Sequence, residues 1–202
     1  MIVVKYVLII VFTLALQAPQ KKVILFFGDS LTAGYGLSTE EAFPALTERL
    51  LSKSGDNVKV VNAGLSGETS AGGLSRIDWI LRQPIDIFVL ELGANDGLRG
   101  LPLDQTRKNL QAIIDKVKVK YPQTKFVMAG MMVPPNMGKE YATEFKKIYP
   151  ELAKKNKATL IPFILEDVGG IEKLNQADGI HPNVEGHKII ARNISKILRP
   201  LL

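Results

Sequence analysis

At 202 residues the chain is long enough to bury a substantial core as one domain, and its 46% hydrophobic content sets it apart from disordered sequences. It contains no cysteine, which removes disulfides, thiol nucleophiles and Cys-ligated zinc and leaves the redox compartment open. The formal charge of +6 comes from lysines spread along the chain, as in Lys116/Lys118/Lys120 and Lys154/Lys155/Lys157. Without a basic stripe interleaved with aromatic residues, nucleic acid is not expected as a partner; solvated helix faces account for the charge, with weak association with an anionic membrane surface as the functional alternative.

In chain order, Lys5 is followed by an apolar run from Tyr6 to Leu16. That run has the length of a signal-peptide core and falls short of the ~20 residues a spanning helix needs. Residues 1–20 are therefore expected to be a secretory signal or an uncleaved anchor, with a periplasmic or secreted location, and residues 21–202 a single domain. Val23–Phe27, Val58–Val61, Ile85–Leu90, Phe126–Ala129 and Thr159–Ile164 are short apolar runs of the kind that form strands buried on both faces, the last at a sheet edge because of Pro162. Helical spacing covers about 40–53, 70–83, 103–120, 140–156 and 184–199, with Ser38 and Glu41 as a capping box for the first helix and Asn183 as N-cap of the last. Strands alternating with helices of this length predict an α/β fold with a parallel sheet covered on both faces.

Polar clusters punctuate this pattern. Gly28-Asp29-Ser30 follows the first strand, Asn62 to Gly67 the second, Gly93-Ala94-Asn95-Asp96 the third, and Asp178 to His181 precedes the last helix. In an open parallel sheet, ligands bind outside the carboxyl ends of the strands, so these clusters converge on one edge. A serine hydrolase needs a hydroxyl, an imidazole to take its proton and a carboxylate to orient the imidazole; Ser30, His181 and Asp178 supply them, and the chain has just two histidines. Competing readings of such a sheet lack their residues. Gly34-Tyr35-Gly36 begins a dinucleotide fingerprint that Thr39 does not complete, no phosphate-binding Gly-Lys-Ser/Thr is present, and the Gly-x-Ser-x-Gly elbow of the α/β-hydrolases is missing.

Gly28-Asp29-Ser30-Leu31, Gly67, Gly93-x-Asn95-Asp96 and Asp178-x-x-His181 resemble the four ordered sequence blocks of the SGNH (GDSL) hydrolases, from about residue 22 to the C-terminus. The likeness is greatest to the bacterial branch of thioesterase I, lysophospholipase L1 and arylesterases, in which Gly often stands where this chain has Ala94. The resemblance implies a three-layer α/β/α domain with a flavodoxin-like five-stranded parallel sheet. It implies hydrolysis of carboxylic esters or thioesters through an acyl-serine, with no cofactor and no metal; separately, a monomer is expected. Ser30 is then the nucleophile, His181 the general base and Asp178 its orienting carboxylate. The backbone N–H groups of Ser30 and Gly67 and the side-chain amide of Asn95 form the oxyanion hole. Gly67 suits that role if the absence of a Cβ lets substrate approach the backbone. The alternatives are an O-deacetylase of polysaccharide on the same fold and a non-catalytic lipid-binding module.

The remaining conspicuous residues have quieter expectations. Asp29 and Asp96 are read as structural, the rival being a hard divalent cation held with Asp178 and His181. His187 is read as a packing or surface residue, Trp79 and Met131-Met132 as core, and Met137 with the Pro134-Pro135 loop as lining for an acyl groove.

Overall fold

The computed structural model describes residues 20–202, so the expected signal or anchor in residues 1–20 lies outside the described residues but for its last position. Among the described residues no helix is long and apolar enough to cross a membrane. Five strands, β1 (Lys22–Gly28), β2 (Val58–Gly64), β3 (Ile87–Glu91), β4 (Lys125–Ala129) and β5 (Thr159–Ile161), form one parallel sheet in the order β2-β1-β3-β4-β5. The α-helices among the described residues are α1 (Ser30–Ala33), α2 (Phe43–Lys53), α3 (Ser70–Ile80), α4 (Ala94–Leu98), α5 (Leu103–Lys120), α6 (Lys139–Asn156) and α7 (Val184–Leu198). Helix α2 packs against α7, while α3 and α6 both pack against α5; these two groups are the outer layers of the α/β/α sandwich expected from the sequence.

Continuous apolar strands follow from that sandwich. With helices on both faces the middle of a central strand is shielded from water, and Ile24–Gly28 and Ile87–Glu91 are buried throughout. Phe27 and Phe88 stack with ring centroids 5.8 Å apart at the middle of the sheet. Complete burial of each such ring contributes roughly 1.5–3 kcal/mol.

Element ends differ from the sequence expectation for local reasons. Residues 85 and 86 do not join β3, because Asp86 turns its carboxylate to the Val23 N–H (2.8 Å) and to Lys22 Nζ (2.8 Å) at the start of β1. Strand β5 does lie at the edge and stops at Ile161, since Pro162 has no N–H to continue the ladder. The Ser38/Glu41 capping box forms, but on a 3₁₀ turn (Thr39–Glu41); helix α2 begins only at Phe43, with Pro44 in its first turn. Asn183 caps α7 as expected, accepting from the N–H groups of Glu185 and Gly186. Trp79 is the clearest correction: it is 62% exposed, its ring stacked under the Arg82 guanidinium at 4.9 Å, instead of core. Met131 is core but Met132 is exposed.

The connections decide where a site forms. From β1 the chain crosses to β2 on one side and then returns to β3 on the other, so the crevice opens between the loops after β1 and β3. Gly28, the last residue of β1, pairs with both Gly64 and Glu91, which sets the carboxyl ends of β1, β2 and β3 level.

Candidate active site

Ser30 is the first residue of α1, directly beyond β1. Asp29 caps this short helix, its Oδ1 accepting from the Leu31 N–H at 3.1 Å, and Gly34, with φ of +77°, ends it in a left-handed turn. The serine hydroxyl is 2.9 Å from Nε2 of His181, which approaches from a loop 151 residues further along the chain. Asp178 secures that loop. Its Oδ1 accepts from the backbone N–H groups of Ile180 (2.9 Å) and His181 (3.0 Å), while its Oδ2 lies 2.7 Å from His181 Nδ1. These hydrogen bonds, the His181 N–H first, hold the Asp178 carboxyl down at about 2. One oxygen thus fixes the backbone that carries the imidazole and the other fixes the ring. The face of the ring is covered by Tyr35, 4.6 Å away centroid to centroid, a contact that sequence motifs gave no sign of.

Asn95 sits in α4, which begins after Gly93 at φ of +116°, a value that needs glycine. Its Nδ2 donates to the Glu68 carbonyl at 3.0 Å and lies 3.5 Å from Asp29 Oδ2, so one amide links the loops after β1, β2 and β3. Asp96 is buried and braces the neighbouring helices, accepting from the Ser70 N–H (2.7 Å), Ser70 Oγ (2.5 Å) and Thr106 Oγ1 (3.1 Å); this is the structural duty expected of it. Gly67 stands next to the Glu68 carbonyl that holds Asn95, and its own carbonyl accepts from Arg99 (3.0 Å). Its φ of +79° is what calls for glycine, because a Cβ there would meet nothing within 4 Å. Among the described residues no group of three or more His, Asp or Glu side chains could hold a metal ion. His187 is buried in the core, where its Nδ1 accepts from the Phe43 N–H at 3.0 Å and burial pushes its pKa down to about 4.

Ser30, Asn95 and His181 line a cavity of about 450 Å³. Much of the remaining lining is apolar, Leu98, Met131, Met132, Val133, Pro134 and Ile180 among it. Pro134 thus lines the groove as expected, whereas Met137 is not among the lining residues and packs toward the core. A cavity that sets these apolar side chains beside a hydroxyl and an imidazole has the make-up of a site for a largely apolar ligand.

Asp29 is fully buried at the base of Ser30, and burial pushes its carboxyl up to about 7; the Leu31 N–H and the charge on His181 pull it down, less strongly. A carboxyl raised in the folded state keeps a proton that the unfolded chain releases. Its contribution to stability is therefore greatest near pH 4 and falls as pH rises toward 7. Asp29→Asn removes this titration. Urea unfolding at pH 5 and pH 8 should show the variant losing roughly 1–3 kcal/mol less than wild type between the two. Parallel losses would mean that Asp29 is already ionised in the native protein at pH 5.

Comparison with known proteins gives a consistent picture. Residues 26–189 match the model of the GDSL-like lipase/acylhydrolase family. Esterase TesA of Pseudomonas aeruginosa is 38% identical over 187 residues, covering 92% of both chains. The Escherichia coli K12 protein named thioesterase 1/protease 1/lysophospholipase L1 is 40% identical over 190 residues, covering 94% of this chain and 89% of its own. A crystal structure of TesA superposes with a TM-score of 0.84 at 39% identity, covering 90% of this chain and 100% of the other.

Proposed function

Since this chain belongs to the GDSL-like lipase/acylhydrolase family, we propose that it hydrolyses carboxylic esters and thioesters of hydrocarbon acids by transferring the acyl group to Ser30. The observation that carries the reading is the continuous relay from Ser30 Oγ through both nitrogens of His181 to Asp178, at 2.9 and 2.7 Å, on the wall of an apolar cavity. The acyl chain lies along Leu98, Met132 and Ile180, and the carbonyl carbon meets Ser30 Oγ. His181 Nε2 takes the hydroxyl proton as the C–O bond forms, and the imidazolium is stabilised by Asp178. The carbonyl oxygen, now an anion, is received by the N–H groups of Ser30 and Gly67 and by the Asn95 amide. His181 then returns the proton to the departing alcohol or thiol, and water, activated by the same nitrogen, releases the acid. Asn95 donates without titrating, so this reception does not change with pH.

The apolar lining favours acyl chains longer than acetyl over an acetylated glycan, and the intact relay speaks against a purely lipid-binding module. A series of p-nitrophenyl esters tests the choice. Each methylene buried contributes about 0.8 kcal/mol, so kcat/KM is expected to rise at least about tenfold from acetyl to octanoyl. A maximum at acetyl, with little action on longer chains, would transfer the protein to the deacetylases.

A further inference from the structure

The last residue of β3, Glu91, is completely buried under the turn that presents Ser30, and the relay makes no use of it. Its Oε2 accepts from Thr32 twice, from the backbone N–H at 3.1 Å and from Oγ1 at 2.6 Å. The carboxyl of Glu91 thus ties down the turn two residues beyond Ser30. Gly28 makes room for it, since a Cβ at that position would come within 2.4 Å of Glu91 Oε2 and 2.2 Å of Thr32 Oγ1. Without that carboxyl, Thr32 would have a buried N–H and a buried hydroxyl with no acceptor, and the turn would have to move to satisfy them.

We infer that Glu91 is a positioning residue for the nucleophile, acting through Thr32 to fix where Ser30 Oγ stands relative to His181. The inference rests on Ser30 being the nucleophile. Glu91 performs this task from a fully buried position. Burial pushes its carboxyl well up, and the Asp29 carboxylate on the same turn pushes further; Tyr149 from α6 faces both acids, and its hydroxyl donates at 3.3 Å to the Leu92 carbonyl, next to Glu91. Charged groups around it act on these two neighbours: His181 and Glu68 on Asp29, and Asp96 on Tyr149. Burial and the mutual repulsion of Asp29 and Glu91 act against ionisation of both carboxyls at once.

The test compares Glu91→Gln, Glu91→Ala and Thr32→Val in the full chain, by steady-state kinetics and by the acylation burst on a p-nitrophenyl ester. Gln keeps a neutral acceptor for Thr32 and should stay within about threefold of wild type, with an unchanged pH profile. Ala should lower kcat and the burst rate roughly 10–100-fold while KM stays within about twofold, because a displaced nucleophile harms the reaction more than binding. Thr32→Val, which loses the hydroxyl alone, should lower the same two quantities by ~3–10-fold. A folded Glu91→Ala protein with wild-type kcat overturns the inference, as does Gln failing as badly as Ala; if Ala does not fold, wild-type kcat in Thr32→Val overturns it. Ser30→Ala separates the two levels of the argument. An active Ser30→Ala protein removes the nucleophile itself, whereas an inactive one beside wild-type Glu91→Ala and Thr32→Val removes only the positioning role.

Discussion

Ser30→Ala is expected to lower kcat on p-nitrophenyl esters by at least ~10⁴-fold while leaving the protein folded. The hydroxyl's partner in the structure is His181 Nε2 at 2.9 Å, so the substitution removes one side-chain hydrogen bond at a partly exposed position. Alanine is also a better helix former than serine in the first turn of α1, and stability should stay within ~0.5 kcal/mol of wild type. The chemical loss is of another order, because without Oγ no acyl-enzyme forms and the imidazole has nothing to deprotonate. His181→Ala should cost about as much, and the double variant no more than either alone, since the two groups act as a unit. A residual rate above the uncatalysed reaction is expected from the cavity and the amide donors. A folded Ser30→Ala protein with wild-type kcat would move the chemistry to another group in the cavity.

The scaffold was legible because its signal is redundant. Five apolar runs separated by helical spacing leave few arrangements other than a covered parallel sheet, and small errors at the ends of β3 or α2 do not alter that. The Asp178–His181 pair was legible because it is local: three residues apart, with the aspartate accepting from the backbone of the loop that carries the histidine. The 151-residue span between Ser30 and His181 has no local signature, and only the rule that ligands sit beyond the strand ends brings the two together. Trp79 misled because its position on a helix identifies a face only when the partner layer is known, and its face turned out to meet solvent. Glu91 was invisible for the opposite reason. An acid at the end of an apolar strand reads as the start of a solvated loop, and nothing in the pattern reveals that the nucleophile's turn folds over it. The reason given for Gly67 also changed, from close approach to a backbone angle.

Asp178→Asn is expected to be the next most damaging change, lowering kcat by ~10³–10⁴-fold with little change in KM. An asparagine can keep its oxygen on the Ile180 and His181 N–H groups, so the loop stays in place. Its other atom then becomes an NH₂ facing His181 Nδ1, where the carboxylate oxygen stood at 2.7 Å. A donor there favours the tautomer with an unprotonated Nδ1, which places the ring proton on Nε2. That nitrogen faces Ser30 and can no longer accept the hydroxyl proton. The ¹⁵N shifts of His181 read the tautomer directly, and with two histidines in the chain the assignment is short work. A variant that keeps the wild-type tautomer and kcat would strip Asp178 of its orienting role. The same aspartate also limits how the acid side of the pH profile is interpreted. Its pKa, lowered to about 2 in the folded chain, means that the stability it contributes is complete above its ordinary value near 3.8 and is lost as pH falls through about 2. Any fall in kcat/KM that begins well above pH 4 therefore reports a group other than Asp178. Asp29, at about 7, is placed to contribute to it. If Asp29→Asn leaves that fall untouched and Asp178→Asn removes it, the assignment of charges in this site is reversed.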